Sequence, residues 1–304
     1  MAPFLSTITS PASASRNDDF SRASEVNVYQ VGGVTYKSYT FTETGSFYLR
    51  TSRSFDILIV ANGGNGQSTA GGGGGEVVVK TDYKLSRGTY NFSIGSRGEL
   101  EIENASGTRG KDFIIKTEGN NELTDLRALG GGNGGQDGGS GGGGYADQGS
   151  SPGNLKPRGV SIAVNGLGFN GGSPTNTRGR CENAAGCGGG GAGGTGLTNI
   201  RNSSRLAVGG AGGPCITNTF RDGTSRSYAG GGGGASNPCH NDATNVGGAG
   251  GCGSLSGGQG GGAGTIFPYN SVDGTGGGGG AQAQGSTGDG YGATGILVIR
   301  EIIG

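Results

Sequence analysis

Gly295-Ile296-Leu297-Val298-Ile299-Arg300-Glu301-Ile302-Ile303 ends the chain, and its reading decides the fold. It is a run of β-branched and apolar residues, the strongest β signal in the second half. A strand needs a neighbour to satisfy its backbone groups. The neighbours are far away in sequence. Residues 34–41 alternate with period two, residues 55–60 form a continuous apolar run, and residues 76–80 carry three consecutive valines. The end of the chain therefore returns to its beginning, with residues 55–60 or 76–80 as the expected partners. Whatever lies between is an insertion within a β structure and not a tail.

The first half reads as short strands throughout. Thr44-Gly45 is a turn, residues 46–49 the next strand, and residues 89–95 follow the turn Ser86-Arg87-Gly88. Residues 100–102 and 112–116 add two more. The intervening part is built on glycine, 77 of 304 residues, in runs at 71–75, 130–144, 188–194, 209–213, 230–234, 247–253, 257–264 and 276–280. Ordering glycine costs more backbone entropy than ordering any other residue. Packing backbone against backbone offsets that cost, because extended three-residue-per-turn helices can hydrogen-bond to one another where no Cβ intervenes. Collagen needs glycine at every third position with abundant proline; here glycines neighbour one another and there are only 8 prolines. The expected fold is all-β: a jelly-roll or TNF-like β-sandwich with an inserted bundle of polyglycine-II helices. The expected divisions are an N-terminal arm over 1–27, the sandwich over 28–129, the glycine bundle over 130–294 and a closing strand over 295–304.

Composition excludes several classes. Formal net charge is zero and charged residues are 14%, so no field draws nucleic acid or an anionic membrane as the main partner. No stretch reaches the ~20 apolar residues of a membrane helix, and Met1-Ala-Pro-Phe-Leu lacks the basic start of a signal peptide. The five cysteines are Cys181, Cys187, Cys215, Cys239 and Cys252. An odd number leaves at least one unpaired or intermolecular. Free buried thiols, one or two disulfides (Cys181 and Cys187 are close enough for a local one) and zinc all stay open, although tight C-x2-C pairs are missing.

Catalytic signatures fail on inspection. His240 is the single histidine and has no G-x-S-x-G elbow to serve; it reads as a loop residue. Gly107-Thr108-Arg109-Gly110-Lys111-Asp112 has the wrong spacing for a P-loop, with aspartate where Ser/Thr belongs. Glu99, Glu101 and Glu103 alternate along a strand as a solvated face would. No catalytic, cofactor-binding or metal-binding residue is assigned, and the chain reads as a non-enzyme.

A resemblance rests on the order of these elements. Tyr39-Thr40-Phe41 with Gly45, then residues 55–60, a glycine run and Glu76-Val77-Val78-Val79 come first. Arg87-Gly88-Thr89-Tyr90-Asn91-Phe92-Ser93-Ile94-Gly95, many glycine runs and Gly295-Ile296-Leu297-Val298-Ile299-Arg300 follow. Over roughly residues 36–300 the chain resembles the glycine-rich domain of phage and viral structural proteins, tail-fibre and appendage proteins above all. It is also similar to the glycine-rich TNF-like ectodomain of anaplastic lymphoma kinase-family receptors, and its bundle resembles the tip adhesins of T-even phage long tail fibres. The resemblance implies a virion structural protein located on the particle. Its partners would be other virion subunits, further copies of itself (a trimer favoured) and a host surface receptor or glycan, with no cofactor. An extracellular ligand-binding module of a receptor is the alternative.

Two sets of residues carry the expected contacts. Rings do not fit inside a glycine bundle, so aromatics in the gaps either seal its edges or project from its ends. Phe220, Tyr228, Phe267 and Tyr269 are the candidates for a receptor or subunit contact. In the polar arm Phe4, Leu5 and Phe20 are the large apolar side chains, and they are the expected anchors on a neighbouring subunit.

Overall fold

The computed structural model describes residues 19–103, 107–146, 155–156, 158–174, 184–201, 207–237, 245–252, 270–281 and 290–304. Its regular elements are almost all strands. β1 (Glu25–Val31), β2 (Val34–Phe41), β3 (Gly45–Leu49), β4 (Arg53–Val60), β5 (Val77–Leu85) and β6 (Gly88–Ser93) come first. β7 (Leu100–Glu103), β8 (Gly107–Gly110), β9 (Ile114–Thr117) and the closing strand (Ile296–Ile302) follow, with two- and three-residue strands between the last two. Gly32 and Gly33 take positive φ, 59° and 85°, which lets a two-residue turn join β1 to β2. The closing strand lies between β2 and β4, antiparallel to both, with Ile299 opposite Tyr39 on one side and Ile57 on the other. Residues 55–60 are thus its partner as expected. β2 is its second neighbour, and β5 lies one strand further out, in the order β1-β2-closing-β4-β5. The central position explains a strand apolar on both faces: Ile296, Leu297, Val298 and Ile299 are all fully buried.

A second antiparallel sheet, in the order β3-β6-β9, faces the first. Between them lies the main core, with Phe41, Phe47, Phe55, Phe92, Phe113, Leu297 and Ile299 among its members. Phe20 belongs to this core. Its ring stacks on Tyr39 with centroids 3.9 Å apart and on Phe47 at 5.4 Å, and it is 4% exposed. Asp19 exchanges backbone bonds with Tyr48, fastening the chain just before Phe20 to the rim of the second sheet. Phe20 is therefore spent inside its own domain and is not free to anchor another subunit. Burying one ring between two sheets already full of aromatics offsets the ordering of the short segment around it. The other expected anchors, Phe4 and Leu5, lie outside the described residues.

Beyond the sheets, the glycine segments bond to one another with a repeat of three residues. Gly71 and Gly74 donate to Cys187 and Gly190; Gly72 and Gly75 donate to Gly279 and Gly276; Gly73 and Glu76 donate to Gly132 and Leu129. Their carbonyls accept from Gly143 and Ser140, from Gly232, and from Gly64 and Ala61. The segment 71–76 thus has six neighbours, three receiving its bonds and three supplying them. The segment 186–192 repeats the pattern. Gly186, Gly189 and Ala192 donate to Ala235, Gly232 and Ala229, while Cys187 and Gly190 donate to Gly144 and Gly141. Residues 61–76 enter this lattice directly from β4 and return to β5, so the lattice includes glycines ahead of residue 130.

A Cβ has no room there. Built onto Gly72, Gly189 or Gly232 it would stand 2.1, 2.1 or 1.9 Å from a carbonyl oxygen of the next segment. Where the lattice meets side chains, asparagines take the place of peptide groups. Asn62 Oδ1 accepts from Gly295 N–H and Asn65 Oδ1 from Gly292 N–H, while their amides donate to the carbonyls of Ser96 and Gly98. The two asparagines stand three apart, in step with the lattice.

Gly232→Ala is expected to destabilise the fold by about 2–4 kcal/mol, because overpacking and broken backbone bonds combine. Gly119→Ala, whose added Cβ would meet only the Asn121 amide at 3.3 Å, should stay within about 0.5 kcal/mol. Urea denaturation of both variants checks the contrast, and equal midpoints would contradict a packed lattice. Phe20→Ala should cost about 3–5 kcal/mol in the same assay.

Candidate functional site

The outer face of the five-stranded sheet would be bare without the insertion. Leu58, Val60, Val77, Ile296 and Val298 point that way and form a second apolar cluster with Ala192, Phe220, Tyr228 and Ala229. A hairpin of Ile216–Asn218 and Arg226–Tyr228 delivers the two rings, with Ile216 opposite Tyr228. The Arg300 guanidinium lies 4.1 Å from the Tyr36 ring centre and 3.9 Å from that of Phe220 while pairing with Asp56 at 2.9 Å. Arg221 pairs with Glu25, and Tyr29 donates its hydroxyl to the Phe220 carbonyl at 2.5 Å. Phe220 and Tyr228 were expected at an exposed contact surface. They are 8% and 1% exposed, and they clamp the insertion onto the sheet. The physical reason is that apolar area on the sheet's outer face must be covered, and these rings are the nearest cover. Phe267 and Tyr269 lie outside the described residues.

Two buried carboxylates hold the junction between lattice and sheet. Glu76 is fully buried. One of its oxygens accepts from the N–H groups of Val164, Asn165 and Gly166 at 3.0, 2.6 and 2.6 Å, and the other accepts from Leu129 at 3.0 Å. Asp112 accepts from Arg109 at 2.9 and 3.0 Å, from Arg127 at 2.8 Å and from Gly130 N–H at 2.9 Å. Burial alone would push the Asp112 carboxyl up, but the Arg109, Arg127 and Gly130 donors outweigh it and hold the group below its ordinary value. Both carboxylates have their oxygens committed to the protein, which suits anchoring rather than proton transfer. Sequence reasoning passed over both. The available signal was a charge set directly between a glycine run and an apolar strand, at Glu76.

Cys215 and Cys252 form a disulfide. Cys187 is a free, buried thiol, so the local Cys181–Cys187 bridge is not made. Burial pushes the Cys187 thiol up to about 11, which keeps it protonated and unreactive at neutral pH. Cys181, Cys239 and His240 lie outside the described residues, and no metal-binding group of side chains occurs among the described residues.

The far end of the lattice gathers the bases of several segments. Gly71 bonds to Cys187 at one end of its segment, and Glu76 leads into β5 at the other. The side away from the sheets is therefore that of the 67–70 turn, where Ala235 N–H donates to Thr69. Here Ala184–Ala185 pairs with Ser236–Asn237, and Ala207–Val208 lies between Ile200–Arg201 and Asn245–Val246. Tyr145–Ala146, paired with Leu155–Lys156, packs beside Ala184–Ala185. These described residues, which flank 147–154, 175–183, 202–206 and 238–244, lie together on one face. This face is the candidate functional site.

Asp112→Asn is expected to cost about 3–5 kcal/mol at neutral pH, because Arg109 loses its buried counter-charge. The sign in pH follows from the depressed value. The aspartate's contribution is complete above the ordinary carboxylate range and fades as pH falls through the lower, folded value. The variant should therefore show a flatter loss of stability with acid than the parent, read by denaturant midpoints from pH 7 to pH 2. Glu76→Gln replaces one acceptor by a donor facing N–H groups and should cost about 1.5–3 kcal/mol.

A comparison with curated proteins finds no match. A family profile described as a glycine-rich domain matches residues 40–301, from the end of β2 through the lattice and into the closing strand. That span covers the sheets, the lattice and the strand that joins them, and the chain belongs to the glycine-rich domain family.

Proposed function

We propose that the protein is a non-enzymatic virion structural component, a phage tail-fibre, spike or decoration subunit, whose far lattice face presents binding loops to a host receptor or glycan. The observation that carries this reading is the convergence of four segment bases on one face of a scaffold whose backbone bonds are satisfied from within. Such a scaffold holds its loops without borrowing stability from them, so their sequences are free to vary with the ligand. The sequence resemblance to viral appendage proteins supplies the virion setting.

The finer fold belongs to the same reading. The lattice segments are polyglycine-II helices inserted in a TNF-like jelly-roll sandwich. The three-residue repeat of bonding partners supports this, as do six neighbours per segment. The glycines of 71–75, 188–194, 209–213 and 230–234 also avoid positive φ. A second reading, an extracellular ligand-binding module of a cell-surface receptor, draws on the Cys215–Cys252 disulfide, a bond of oxidising compartments.

Purified protein should compete with intact particles for adsorption to host cells. Exchanging 147–154 and 238–244 for Gly-Ser stretches of equal length should abolish competition while leaving the melting temperature within about 2 °C. Mass spectrometry of purified particles should find the protein. Its absence from particles, with ligand binding intact, would transfer the assignment to the receptor module. Competition undiminished by the exchange would remove the far face as the binding surface.

A further inference from the structure

The two sheets have four outer edges, and three of them are defended. β3 is bridged by Asp19, which exchanges bonds with Tyr48 at 3.2 and 3.4 Å. β9 is covered by the returning chain, with Leu123 N–H donating to Ile115 and Thr117 N–H to Asn121. β5 carries a bulge opposite Asp56, where Asp82 sits at φ 51° with its N–H on the Asp56 carboxylate. Lys80 and Lys84 flank that bulge, and Leu167 bonds to Val77 at the strand's start. Bulges, charges and covering segments are the usual means of keeping a sheet edge from pairing with another chain.

β1 has none of these. It is a regular seven-residue strand with no proline, no lysine and no bulge, and its one charge, Glu25, is held by Arg221. Its outward backbone groups can be assigned. Thr35 gives its N–H to Gly304 and accepts from Ile303, so Thr35, Lys37 and Tyr39 face the closing strand. Alternation then turns Val34, Tyr36, Ser38 and Thr40 towards β1, where they bond Val31, Tyr29, Asn27 and Glu25. The N–H and C=O groups of Val26, Val28 and Gln30 consequently point outward, and no backbone group among the described residues bonds to them. The side chains of Val26 and Val28, 51% and 62% exposed, stand on the face turned towards the second sheet, with Val26 beside the core residue Tyr39.

We propose that β1 is a pairing interface between two copies of this chain, joined antiparallel across a two-fold axis at Val28. This register is self-complementary. Val28 faces Val28, Val26 faces Gln30, and each facing pair exchanges two bonds, about six in all. It places no like charges opposite one another and gathers four valines on one face, Val26 of each copy beside Tyr39 and Val28 beside Lys37. A shift by one residue would set outward groups against inward ones and lose the bonds. Two-fold pairing gives a dimer with one continuous sheet, not the trimer that the resemblance implies.

Sedimentation of the full chain should show a concentration-dependent dimer. Val28→Pro removes one outward N–H and leaves the β1–β2 bonds in place, and Val28→Lys sets two charges on the axis. Each should weaken association at least tenfold, with circular dichroism reporting a retained fold. Val28→Cys should give a disulfide-linked dimer on a non-reducing gel, since Cα atoms of a bonded pair lie about 5.5 Å apart. Val79→Cys, on the defended edge, should not. Deleting residues 2–18 should leave the dimer intact. The proposal is overturned by a monomer at every concentration, by a dimer that survives Val28→Lys, by failure of Val28→Cys to cross-link, or by loss of the dimer on that deletion. A chain that stays monomeric alone and pairs only with a foreign extended peptide also overturns it.

Discussion

The close approach of one peptide group to another, without a side chain between, is the interaction on which the structure depends. In the segments 71–76 and 186–192 almost every N–H finds a carbonyl on a neighbouring segment, and the partner changes with each residue until the fourth returns to the first. An ordinary strand bonds to two neighbours in one plane. These segments bond in three directions and pack in a volume. That arrangement replaces the apolar core that a chain with 30% hydrophobic residues cannot extend across its whole length. Its cost is the entropy of glycine, and its enabling condition is geometric. A carbonyl oxygen occupies the place where a Cβ would be, about 2 Å from it at most interior positions.

Lattice and sheet are joined without a break in bonding. At Gly75, Glu76 and Val77 the chain passes from partners in three directions to partners in a sheet, and Glu76 N–H still donates to Leu129 while Val77 pairs with Val60. The change of geometry leaves neighbouring N–H groups of residues 164–166 without backbone acceptors, and the Glu76 carboxylate accepts from all of them. Alanine marks the same boundary. Ala192 and Ala229 bond to each other as lattice residues, yet their methyl groups belong to the apolar cluster on the sheet. Elsewhere in the lattice the buried side chains are small, as at Ser140 and Cys187.

These features decide what sequence could reveal. The closing strand was legible because six apolar residues within eight positions of a polar, glycine-rich half have one explanation, and its pairing with residues 55–60 followed from where the other strands are. Its second neighbour was not, since β2 and β5 carry equally good β patterns. Phe20 was misread because a single ring in a polar segment has no period to show that it enters a core. Phe220 and Tyr228 were misread for a related reason. Their role depends on an exposed face of the sheet, and a continuous apolar strand such as residues 55–60 does not tell how many of its faces the second sheet covers. Within the lattice, glycine runs have no side chains to identify their partners, so which run lies beside which cannot be read from composition. The asparagines at 62, 65 and 133 are the nearest thing to an address, each fixing one segment to a defined neighbour through its amide.

Division of labour between the two kinds of packing bears on where function can reside. The sandwich spends its aromatics on the main core, and the hairpin of Phe220 and Tyr228 spends two more on fixing the insertion. The described lattice interior is mostly backbone, with small buried side chains such as those of Ser140 and Cys187 within it. Among the described residues, two regions are consumed by neither packing: the far face, where short strand pairs lie together, and the open edge of β1. They lie on different parts of the molecule, since β1 is the outermost strand of a sheet whose other strands run into the lattice from its near side. A contact that uses backbone groups along β1 leaves the far face free. The lattice leaves the sheet at the Glu25 end of β1, where Val60, Val77 and Ile296 also lie, so two copies joined antiparallel at β1 would direct their far faces in opposite directions. Simultaneous engagement of one surface by both faces is then excluded, so the pairing would not add their contacts through linkage.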